Sequence, residues 1–231
     1  MLKVQEVSLS FGETEVLHQL SFEVQRGEMV ALLGSSGAGK SSIFKLLIGD
    51  IKPTKGDVQV VDLSLRELSF SGLQTYRRNI GVVFQEFHLL PSKTVYENIA
   101  YALEVCGEED DIEKKVPELI KLVGLEKRKD HFPYQLSGGE KQRVSIARAM
   151  VHDPQILIAD EATGNLDPKN SREISEIFKK LNADKKMTII FSTHDPVLVG
   201  QLKPRVIRLE QGKIKFDKEN CSVEEAFTGM V

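Results

Sequence analysis

The 231-residue chain has no tryptophan and only two cysteines. It also has no apolar run approaching the roughly 18 residues that read as a membrane span. Cys106 and Cys221 lie far apart and lack metal-ligand spacing. That argues against a disulfide framework or a zinc site and predicts a reducing compartment. Charge of one sign is lacking too: 31 basic against 34 acidic residues leave a net charge of −3. No concentrated basic surface is expected, so no nucleic-acid partner is predicted. The one short basic run, Lys127-Arg128-Lys129, reads as a solvated turn or helix end. The opening MLKVQEVSLSFGE has no apolar core of the signal-peptide kind. Any work at a membrane is therefore expected to pass through a partner.

Short apolar runs alternate with helical patterns, which predicts an α/β fold with a mainly parallel sheet. Val4–Leu9 and Val16–Val24 alternate about a turn at Gly12 and predict an N-terminal antiparallel β edge. Met29–Leu33 reads as a strand buried on both faces, stopped by Gly34. Further strands are expected at Gly56–Val61 and Ile80–Phe84. From about Glu86 to Asp153 strand signals vanish, and Thr94–Val105, Asp111–Val123 and Glu140–Val151 read as helices. Strands resume at Ile156–Ala159, Thr188–Ser192, Val206–Leu209 and Lys213–Phe216, with a helix at Lys169–Leu181. With no repeat or low-complexity linker, the expectation is a single domain over 1–231. Its core is expected to comprise 1–85 and 154–231, with a helical subdomain inserted at 86–153.

Gly34-Ser35-Ser36-Gly37-Ala38-Gly39-Lys40-Ser41 fits the spacing G-x-x-x-x-G-K-[ST]. Such glycines let backbone N–H groups wrap phosphate oxygens, and the following helix adds its positive end. Lys40 is expected at the β- and γ-phosphates and the Ser41 hydroxyl at Mg²⁺. Ser42 completes the predicted nucleotide-binding set. Ile156-Leu157-Ile158-Ala159-Asp160-Glu161 is an apolar strand ending in two acids. In a parallel sheet that end faces the ligand crevice, where one carboxylate can hold Mg²⁺ while the next polarises water.

Those features leave kinases, GTPases and ATPases open. The discriminating stretch is Leu136-Ser137-Gly138-Gly139-Glu140-Lys141-Gln142-Arg143. Ser137 and Glu140 form a capping-box pattern, and Gly138 and Gly139 expose N–H groups at a second helix start. Two phosphate-binding helix starts, distant in one chain, suggest a head-to-tail homodimer with ATP between one subunit's loop and the other's capped helix.

With that stretch the chain resembles the ABC-type ATPase family over essentially its whole length. The resemblance implies a P-loop NTPase fold and ATP with Mg²⁺ as ligands. It implies that Phe11 stacks on adenine, that Gln85 senses Mg²⁺ and the attacking water, and that His194 contacts the γ-phosphate. Asp160 then corresponds to the Mg²⁺ acid and Glu161 to the general base, and Asn165-Leu166-Asp167 to a loop crossing the dimer interface. The other histidines, His18, His88, His131 and His152, read as structural.

FQEFHLLPSKTVYENIA at 84–100, HFPYQLSGGEKQRVSIARA at 131–149 and DEATGNLD at 160–167 resemble the branch containing lipoprotein-release, macrolide-export and cell-division ATPases. The resemblance implies a peripheral protein on the cytoplasmic face of the bacterial membrane, driving a separate integral membrane subunit. Phe87, Leu89 and Leu90 are the candidates for gripping that partner, with ordinary packing as the alternative. Ala162 departs from the family's usual proline, which predicts slower or less tightly coupled hydrolysis.

Overall fold

The computed structural model describes residues 1–61, 63–164 and 166–228. β1 (Leu2–Phe11) and β2 (Thr14–Val24) form a hairpin about the turn at Gly12. On β1, Leu2, Val4, Val7 and Leu9 are buried, the alternation being reset by an irregularity between Val4 and Val7. The antiparallel N-terminal edge forms a sheet of its own. β4 (Lys55–Val60) and β5 (Leu63–Ser64) join it in the order β2-β1-β4-β5.

The second sheet has six strands in the order β10-β9-β3-β8-β7-β6. β3 (Met29–Leu33), β6 (Ile80–Val83), β7 (Ile156–Ala159), β8 (Thr188–Ser192) and β9 (Arg205–Glu210) run parallel. β10 (Lys213–Lys218) pairs antiparallel at the edge. Side-chain alternation divides each central strand between two cores. Ala31, Leu33, Leu157, Ala159, Ile189 and Phe191 enter one. Val30, Leu32, Ile156, Ile158, Ile190 and Ile207 enter the other, beneath the antiparallel sheet. Both faces being covered, these strands carry unbroken apolar runs.

Between β6 and β7 lie α3 (Val95–Glu104), α4 (Ile112–Leu122) and α5 (Gly138–Ala149), with no strand. Thr94 and Glu97 close a capping box at the start of α3. Fully buried Asn98 ties down the preceding loop, donating to the carbonyls of Leu90 and Lys93 and accepting from Leu90 N–H. Apolar residues of α3, α4 and α5 join the same core as Leu33 and Leu157. The remaining helices are α1 (Lys40–Leu47), α2 (Phe70–Arg78), α6 (Pro168–Lys185), α7 (Pro196–Leu202) and α8 (Val223–Phe227).

Sequence patterning had not indicated β5, α2, α7 and α8. Only Tyr76 of α2 and only Ala226 of α8 are buried, so neither carries an apolar stripe. α7 is set by Asp195, whose carboxylate accepts from Val197 N–H, and by Pro196 at its first position. α6 runs one turn past the predicted Leu181, ending at left-handed Lys186.

Candidate nucleotide-binding site

The carboxyl ends of β3, β6, β7 and β8 open on one side of the parallel sheet, where such folds place ligands. A cleft of about 650 Å³ lies there. Gly34, Ser35, Ser36, Gly37, Gly39, Lys40, Ser41 and Ser42 line it together with Val16, Gln85, Glu161 and His194. Residues predicted from four separate segments are thus brought to one cavity. Ala38 is buried behind the loop. Gly34 is dictated by crowding, since a Cβ there would lie 2.7 Å from the Leu209 carbonyl oxygen and 2.9 Å from Ala38 Cβ. Lys40 opens α1 and its ammonium donates to the carbonyls of Gly34 (2.8 Å) and Ser35 (3.1 Å), holding its charge over the loop.

The two acids at the end of β7 are held differently. Asp160 Oδ1 accepts from the Ser192 hydroxyl at 2.6 Å, and the Ser192 oxygen in turn accepts from Glu161 N–H at 2.8 Å. Asp160 N–H donates to the Val83 carbonyl, continuing the β6–β7 pairing by one residue. Glu161 adopts φ of 45°, a conformation rare for a residue with a side chain and enriched at functional sites. Its Oε2 stands 3.9 Å from His194 Nδ1. Gly164 leaves room for both, because a Cβ there would be 3.1 Å from the imidazole and 3.2 Å from Glu161 Oε2.

Among the described residues, no group of three His, Cys, Asp or Glu side chains converges as a self-sufficient metal cage. Of the predicted donors, the Ser41 hydroxyl and the Gln85 amide oxygen line the cleft, whereas the Asp160 carboxylate does not and is held by Ser192 beside Glu161. That all-oxygen, carboxylate-poor set fits Mg²⁺, which takes one or two carboxylates and completes its shell with phosphate and water.

The second predicted helix start stands apart: none of Ser137, Gly138, Gly139 and Glu140 lines the cleft. Ser137 and Gly138 are exposed. Ser137 Oγ accepts from Glu140 N–H, and the Glu140 carboxylate accepts from Ser137 N–H and from Arg128. Partial burial pushes the Glu140 carboxyl up, but these hydrogen bonds outweigh it and hold it below the ordinary glutamate range. A Cβ on Gly139 would sit 1.8 Å from Asn170 Oδ1, so only glycine lets α5 and α6 begin side by side.

Phe11 is 54% exposed at the end of β1 and does not line the cleft. Asn165 lies outside the described residues. Phe87, Leu89 and Leu90 are half-buried, and Leu89 packs on the core shared with α3–α5. His18 contacts Glu15, His131 contacts Arg128, His152 contacts Glu108, and His88 meets the Phe84 ring edge-on.

Two residues of the site escaped sequence reasoning. Ser192 bridges both acids, and its only signal was a hydroxyl closing an apolar strand. Arg148 of α5 donates to the carbonyls of His88 (2.7 Å) and Phe87 (3.1 Å), tying the segment after Gln85 to the helix that starts at Ser137. Burial disfavours its charge and pushes its pKa down.

Comparison with known proteins identifies the family. Residues 17–164 match the ABC transporter family. The cell division ATP-binding protein FtsE of Streptococcus pneumoniae is 46% identical over 206 residues, 89% of each chain. FtsE of Bacillus subtilis is 43% identical over 220 residues, covering 94% of this chain and 96% of its own. A methionine import ATP-binding protein, MetN 1 of Rhodopseudomonas palustris, is 43% identical over 93% of this chain and 58% of its own. Among solved structures, a dimeric ATP-binding cassette in a post-hydrolysis state, bound to ADP and Pi, superposes with a TM-score of 0.85. It is 32% identical and covers 96% of this chain and 100% of its own.

Proposed function

The chain belongs to the ABC transporter ATP-binding family and is an ATP hydrolase, and on that premise we propose that it works in bacterial cell division as an FtsE-type motor. In this reading two copies close head to tail on two ATP molecules. The single observation that carries the composite site is the separation of the two anion-binding helix starts. The Lys40 loop lines a cleft with Glu161 and His194, whereas Ser137 and Gly138 stand exposed elsewhere, free to meet a second copy.

The loop N–H groups and Lys40 bind the β- and γ-phosphates, and Phe11 stacks on the adenine. Ser41, Gln85 and Asp160 would hold Mg²⁺, which would neutralise phosphate charge when bound. Glu161 takes the proton of the attacking water, while His194, beside its carboxylate, orients toward the γ-phosphate. Ser137, Gly138, Gly139 and Glu140 of the partner copy close the far side.

Dimer closure drives a separate integral membrane subunit, FtsX-like, from the cytoplasmic face of the membrane, and so controls cell-wall hydrolysis. The close FtsE relatives over nine-tenths of the chain favour this reading over lipoprotein release or macrolide export.

The test is Glu161→Gln. Steady-state turnover is expected to fall at least about 100-fold and a closed ATP dimer to accumulate in size-exclusion chromatography. Unchanged turnover would point to an ATP-gated scaffold. For the partner, charge substitutions at Phe87 or Leu90 are expected to reduce co-purification with the membrane subunit while nucleotide affinity holds. Unchanged co-purification assigns these side chains to packing.

A further inference from the structure

Away from the nucleotide cleft, the end of α3 and the end of α5 bring together a thiol, an imidazole and a carboxylate. Cys106 Sγ lies 3.7 Å from His152 Nε2. The other ring nitrogen, His152 Nδ1, lies 3.1 Å from Glu108 Oε2. The carboxylate accepts the Nδ1 proton and so leaves the Nε2 lone pair facing the thiol, fixing the tautomer that can take a proton. A thiol, a base and a group that orients the base are the three parts of an activated nucleophile. None of the three residues lines the nucleotide cleft.

The second cysteine supplies a contrast within the same chain. Cys221 is buried, at 9% exposure, and its thiol contacts the Ser222 carbonyl; burial pushes its pKa up. Cys106 is half-buried between exposed Val105 and Gly107, so a small reagent can reach it. Its surroundings are acidic: Glu104, Glu109 and Asp110 are exposed beside it, and only Glu104 faces a lysine, Lys93 at 3.9 Å. That field repels anionic reagents and favours neutral or cationic ones.

We propose that Cys106 is a nucleophilic modification site, activated by His152 and Glu108, that exchanges with neutral or cationic small disulfides. The thiol proton passes to His152 Nε2 as Sγ attacks one sulfur of the incoming disulfide. The new Cys106–sulfur bond forms, the old S–S bond breaks, and the departing thiolate takes the proton from the imidazolium. One thiol and one disulfide give one mixed disulfide and one thiol, with no net oxidation.

The test uses the full chain and cystamine, a cationic disulfide, followed by intact mass and peptide mapping at neutral pH. A single adduct is expected at Cys106, formed at least ~10-fold faster than at Cys221. Cys106→Ser removes it and Cys221→Ser leaves it. Glu108→Gln, a change at a partly exposed side chain, is expected to slow it about 3-fold, and His152→Gln at least ~10-fold. Oxidised glutathione, an anionic disulfide, is expected to react at least ~10-fold more slowly than cystamine. Equal rates at the two cysteines would overturn the proposal, as would no change in either the His152 or the Glu108 variant. If glutathione disulfide reacts as fast as cystamine, the charge selectivity is refuted.

Discussion

Removing one hydroxyl, Ser192→Ala, should disturb both acids of the site at once. The side chain is 1% exposed, so water does not replace it. It donates to the Asp160 carboxylate at 2.6 Å and accepts from Glu161 N–H at 2.8 Å. A hydrogen bond to a charged group contributes about 1.5–3 kcal/mol, and a buried N–H left without a partner costs about 1–3 kcal/mol. Partial relaxation brings the expected loss to about 2–4 kcal/mol, a large part of the roughly 5–15 kcal/mol that stabilises such a domain. Glu161 would also lose a bond that helps hold its left-handed backbone, and its carboxylate would drift relative to His194. A displacement near 1 Å at a reacting group costs on the order of 100-fold in rate. Urea unfolding and phosphate release, measured on the same preparation, read the two effects separately. In a double-mutant cycle with Asp160→Asn, a coupling of about 1.5 kcal/mol is expected. A stability change under about 0.5 kcal/mol with turnover within about twofold of the parent would refute the bridging role.

Arg148→Met should keep the stem's packing while removing the bonds to the Phe87 and His88 carbonyls. A loss of about 2–3 kcal/mol in thermal unfolding is expected, together with faster hydrogen exchange confined to the segment after Gln85; exchange unchanged there would remove Arg148 from any role in holding it. Ala162→Pro, at a position only 3% exposed beside Glu161, should raise turnover or tighten its coupling to the membrane subunit. Identical turnover and coupling would leave the alanine without consequence.

Most of the parallel sheet was legible because its strands are buried on both faces and so carry unbroken apolar runs, as Met29–Leu33 and Ile156–Ala159 do. The helix after Ser137 was legible for a different reason: Ser137 with Glu140 writes its start into the sequence. α2 and α8 were not, because each buries a single residue and leaves no periodic stripe. The phosphate loop and the paired acids stood out because their chemistry needs contiguous residues. Ser192 and Arg148 did not, because each acts through contacts between segments distant in sequence. The arrangement that brings Ser192 beside Asp160 comes from β7 and β8 lying in parallel register, which pairs Ala159 with Phe191.

The division of each central strand between two cores has a mechanical consequence. β3 carries Val30 and Leu32 into one and Ala31 and Leu33 into the other, and it ends at Gly34. The phosphate loop is therefore clamped from above and below, and neither layer can shift it without working against the other. β6 is divided in the same way before Gln85, whereas the half-buried residues after Gln85 are held by Leu89 on one core and by Arg148 at the Phe87 and His88 carbonyls. Strain entering at the γ-phosphate would leave through that segment and α5, while the loop that grips the nucleotide stays a fixed anvil.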